Sequence, residues 1–133
     1  SEIFNAATTD WDRAFNACRI VELFLEDSRP EDAWRMLQQY DDCLQRVDGW
    51  NQVGLGRSFV ETGFRIAAKA TSEIAHVAFD WAHLRHEQLK SSSFKILTLA
   101  TEAAVRLGNE NYAQHYQAAA DAEQARIDEL LKK

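Results

Sequence analysis

From Asp10 to the end of the chain, apolar residues return at every third or fourth position in nearly every segment. That spacing matches one face of a helix and leaves little room for strands. Trp11, Ala14, Cys18, Val21 and Leu25 form the first stripe, widened by Ala17 and Phe24, and predict a helix over 10–27. Ala33, Leu37, Tyr40, Leu44 and Val47 step as a heptad seam and predict a second, ending near Val47. Between them, Ser28-Arg29-Pro30-Glu31 has capping-box spacing, with the proline in the first turn. So short a joint folds two helices back as an antiparallel hairpin.

The stretch 48–57 reads as a loop, because three of the five glycines (Gly49, Gly54, Gly56) fall in it. Ser58 and Glu61 offer a second capping-box spacing, and periodicity then runs to Lys90. A continuous helix of that length would span about 50 Å. A compact domain of this size is only roughly 36 Å across, so a break is expected at Thr71-Ser72-Glu73. Ser91-Ser92-Ser93 marks the next joint. A helix follows on Ile96, Leu97, Ala100, Ala103 and Ala104, and Gly108-Asn109 ends it and opens the last one.

The expected fold is therefore all-α: five to six helices as three antiparallel helical hairpins (10–47, 58–90, 94–132). They pack as a bundle or a short curved hairpin stack in a single domain over 1–133. A shift of 80 residues pairs apolar positions of the first and last hairpins, Ala14 with Phe94 and Phe24 with Ala104 among them. The run Leu107–Ala113 with Tyr116 and Ala120 resembles the turn and second helix of a tetratricopeptide unit, over about 14 residues. The preceding helices lack that family's aromatic and glycine positions, so no membership is inferred.

Charge narrows the partners. Net charge is −6, with 12 acids against 7 arginines in residues 1–66, which argues against nucleic acid. No apolar run is long enough to span a membrane, and no basic-then-apolar leader opens the sequence. Cys18 and Cys43 are expected as buried free thiols, which points to a reducing cytoplasm.

Two features are candidates for function. Trp50, Val53, Leu55 and Arg57 lie in the glycine-rich stretch, as an exposed aromatic-plus-arginine patch or as a lid folded over the helices. Glu73, His76, Asp80, His83 and Glu87 step 3, 4, 3 and 4 along one helix, an alternative metal-ligating stripe that includes a Glu-x-x-His. Ile74, Ala78 and Trp81 put the apolar side of that helix opposite the stripe, so solvent is its expected surrounding. No residue is nominated as a catalytic acid, base or nucleophile, and no cofactor is implied. The function expected is a non-catalytic protein-interaction or regulatory module (adaptor, chaperone or immunity-type inhibitor), with a protein partner and homodimerisation possible. The alternative is a metal- or small-ligand-binding helical protein, possible as an enzyme, using the His76/His83 stripe or a cavity between hairpins.

Overall fold

A computed structural model describes residues 9–47, 49–89 and 92–132, with the backbone alone for 49–53. Among the described residues six helices follow one another: α1 (Asp10–Glu26), α2 (Pro30–Gln45), α3 (Gly49–Ala67), α4 (Ser72–Gln88), α5 (Phe94–Arg106) and α6 (Glu110–Leu131). They pair as three antiparallel hairpins, α1/α2, α3/α4 and α5/α6. The first helices α1, α3 and α5 form a close row, with α3 in the middle packing on both neighbours. The second helices are spread: α2 and α4 touch marginally, and no Cα atoms of α4 and α6 lie within 8 Å among the described residues. A row that is tight on one side and open on the other makes a short curved stack.

Local chemistry explains most helix ends. Thr9, Ser93 and Asn109 each accept a backbone N–H of the first turn, from Asp12, Ile96 and Tyr112. The expected break at Thr71 is present, and the Thr71 backbone N–H donates to Glu31 Oε1 of α2 at 3.1 Å. Ser28 differs from its expected role. It does not cap α2, whose first residue follows Arg29 without a side-chain cap. Ser28 instead takes a left-handed φ of +57° and closes α1, with Arg29 N–H donating to Phe24 O and Ser28 N–H to Leu25 O. Gly108 does the same at φ +71°, with Asn109 N–H on Ala104 O and Gly108 N–H on Val105 O. Ser28 and Gly108 are 80 residues apart, so the sequence echo between the outer hairpins is also an echo of their turns.

The expected loop at 48–57 is corrected. Residues 49–57 belong to α3, which makes the middle hairpin 49–88 rather than 58–90, and Ser58 lies inside the helix instead of capping it. The glycines lower helix propensity but permit close packing. A Cβ on Gly56 would sit 3.2 Å from Leu89 Cδ2, and one on Gly63 would sit 2.8 Å from Trp81 Cζ3 and 3.0 Å from Ala82 Cβ. With Ala67 of α3 and Ala75, Ala78 and Ala82 of α4 fully buried, α3 and α4 meet along small residues. Three larger devices bind the hairpins together. The Asp41–Arg85 ion pair joins α2 to α4, and Trp34 meets Trp81 edge-on at 5.8 Å. Arg106 donates to Ala67 O and Ala70 O at 2.8 and 2.5 Å, which ties α5 to the end of α3. Cys18 and Cys43 are both buried and unbridged.

Candidate functional site: the outer face of α4 and its seam with α6

Because α4 is the middle helix of the outer row, it packs on more than one side. Its buried residues are Ala75, Ala78, Phe79 and Ala82, while Ile74 is half-buried against the core and Trp81 is half-buried toward α2. The buried arc is therefore wider than the single apolar stripe in the sequence, and it reaches His83 and His86. Here the expectation that the whole Glu/His/Asp stripe faces solvent is corrected. Glu73, His76, Asp80 and Glu87 are exposed, but His83 is half-buried in the gap between α4 and α6.

Rings fill that gap. Tyr116 of α6 is fully buried and stands 5.5 Å from Phe64, 5.5 Å from His86 and 5.7 Å from His83, centroid to centroid. Tyr112 lies 4.4 Å from His83 and 5.4 Å from Phe79. Polar contacts orient the imidazoles. Glu87 Oε1 lies 3.1 Å from His83 Nε2, and Tyr116 Oη lies 2.5 Å from His83 Nδ1. A neutral ring satisfies both partners when Nε2–H donates to the carboxylate and the phenol O–H donates to Nδ1. Burial, and after it the charge of Glu87, pushes the Tyr116 phenol well above its ordinary value, which keeps it a donor. His86 Nε2 pairs with Ser92 Oγ at 2.8 Å, and exposed His115 stands 6.5 Å from His83, centroid to centroid.

Burial, followed by the neighbouring His83 and His115, holds His86 below its ordinary value of 6.5, while Glu87 opposes them. The folded protein thus binds a proton at His86 less readily than the unfolded chain. The stability this group confers is complete above about pH 6.5 and is lost as pH falls toward the depressed folded value. Asp10, Asp32 and Glu123 are lowered by their arginine partners and lose their contributions only at more acidic pH. Thermal melts should therefore show Tm falling between about pH 7 and about pH 5, with the slope reduced in His86→Gln. A Tm that is flat or rises across that window would contradict the assignment.

The exposed side of α4 carries a pattern that periodicity alone does not isolate. Glu73-Ile74-Ala75-His76-Val77 is repeated seven residues later as Asp80-Trp81-Ala82-His83-Leu84, and Glu87 begins a third unit. The alanines are buried, the acids are exposed, and Val77 and Leu84 remain 49% and 58% exposed on one line. Comparing the chain with itself at a shift of seven would have found it. Beside His76, the Leu107–Asn111 turn borders an open depression of about 460 Å³.

The other candidate residues fall elsewhere. Leu55 is sealed in the core, which removes it from a binding patch, and Arg57 is half-buried. The side chains of Trp50 and Val53 lie outside the described residues. Among those described, no three His, Cys, Asp or Glu side chains are placed to hold a metal ion. No described helix is long and apolar enough to cross a membrane. Comparison with protein-family models, curated proteins and solved structures returns no match.

Proposed function

We propose that the protein is a non-catalytic protein-interaction module, an adaptor, chaperone or inhibitor that works by presenting helix faces to a partner. The observation that carries this is the outward line of α4, where Val77 and Leu84 stay exposed in a repeating register. Apolar side chains left in a row on a helix crest have a reason to be covered, whereas isolated ones do not. The stacked Trp11 and Phe15 on α1, 5.0 Å apart and both more than a third exposed, offer a second such face. A curved hairpin stack suits the role, since its helices are held by neighbours on one side and remain available on the other.

The test is capture in the native host. Tagged protein, crosslinked at its natural abundance and purified, should carry a second protein at near-equal stoichiometry. Recovery of this chain alone, as monomer or self-assembly, would remove the proposal.

A further inference from the structure

We infer that the outer face of α4 docks a basic amphipathic helix of a partner protein, a deepening that rests on the interaction-module function proposed above. Two rows run side by side along α4. Val77 and Leu84 form the apolar row, and Glu73, Asp80 and Glu87 form an acidic row beside it. Each row repeats every seven residues, a rise of about 10.5 Å along the axis. A second helix meets such a face at matching intervals, placing its own apolar residues over Val77 and Leu84. An extended segment, with its period of two, does not keep that register.

Charge chooses the composition of that helix. Glu73 and Asp80 form no ion pair among the described residues, and Glu87 pairs with the half-buried His83. Arg85, the one arginine of α4, is turned toward α2 and held by Asp41. The neighbouring part of α6, residues 110–122, contains Glu110 and Asp121 and neither lysine nor arginine. The face is therefore negative around a small apolar row, and lysines or arginines flanking a partner's apolar stripe complement it. Helix-on-helix docking of this kind draws affinity from the apolar anchors and register from the flanking charges.

The probe is a synthetic amphipathic peptide with leucines in heptad register flanked by lysines, titrated by fluorescence anisotropy. A charge-reversed peptide with glutamates in place of the lysines serves as the comparison. Wild type should bind the lysine peptide and ignore the glutamate one. Val77→Ser with Leu84→Ser should weaken binding at least about tenfold, as loss of central anchors does. Glu73→Lys with Asp80→Lys should weaken it comparably, which gives an independent variant if the first folds poorly. All four substituted side chains point outward, so circular dichroism should stay unchanged. The inference is overturned if wild type does not bind, if either double variant binds as wild type does, or if both peptides bind alike. It is also overturned if this face pairs two copies of the chain, seen as concentration-dependent self-association that Leu84→Ser abolishes. Peptide failure beside successful capture of a native partner would remove only the basic helix. Failure of capture would remove the module itself.

Discussion

Tyr116→Ala should lower the stability of the folded chain by about 3–5 kcal/mol, the range for truncating a fully buried aromatic. Tyr116 is completely buried, and its ring meets Phe64, Phe79, His83, His86, Tyr112 and His115. Most cavities shrink because neighbouring backbone moves in, but α4 and α6 stand too far apart for their backbones to touch. Rings from α3, α4 and α6 fill the gap, so the space left by Tyr116 is not closed by a small movement of backbone. Against a total stability of about 5–15 kcal/mol for a domain of this kind, the loss is a large fraction. Urea denaturation followed by circular dichroism measures it directly. Tyr116→Phe keeps the wedge and removes only the hydroxyl hydrogen-bonded to His83 Nδ1, so it should cost about 1 kcal/mol. If alanine and phenylalanine cost the same, the hydroxyl rather than the ring holds the seam, and the account of α6 docking fails.

The same seam shows where sequence information ends. Most helix ends are local events, written in residues that touch one another, and so Ser93, Gly108 and Asn109 were readable one at a time. The direction of a helix face is different. On α4 the apolar residues average toward one side, which sends His83 to solvent. The central position of α4 in the stack gives it buried contacts over a wider arc, and His83 and His86 fall inside it. No pattern within α4 announces that Tyr112 and Tyr116 will arrive from a helix some 30 residues further on. Ser28 shows an intermediate case. The sequence locates the turn, but a serine three residues before a glutamate is compatible with a cap on α2 or a left-handed close to α1. Pro30, already at the first helical position, leaves Arg29 as the residue before it.

Glycine is the clearest instance of one residue type with two meanings, and it yields a prediction of opposite signs within one helix. Gly54 and Gly63 both lie in α3, where replacing glycine by alanine ordinarily stabilises by about 0.5–1 kcal/mol because the unfolded chain loses freedom. A Cβ on Gly54 meets nothing within 4 Å, so Gly54→Ala should show that gain. A Cβ on Gly63 would lie 2.8 Å from the Trp81 ring and 3.0 Å from Ala82, inside the contact distance of both. Trp81 has little freedom to retreat: Trp34 meets it edge-on, Arg85 lies over its face at 5.8 Å, and its indole N–H points at Asp41 at 3.5 Å. Gly63→Ala should therefore destabilise by about 1–3 kcal/mol despite its better helix propensity. Gly56→Ala falls between them, since the end of the Leu89 side chain, 3.2 Å away, can turn aside. Thermal melts of the three variants decide the matter by rank. If Gly63→Ala is as stabilising as Gly54→Ala, then α3 and α4 do not approach as closely as the fold requires. The glycines of α3 would then be weak helix formers and nothing more.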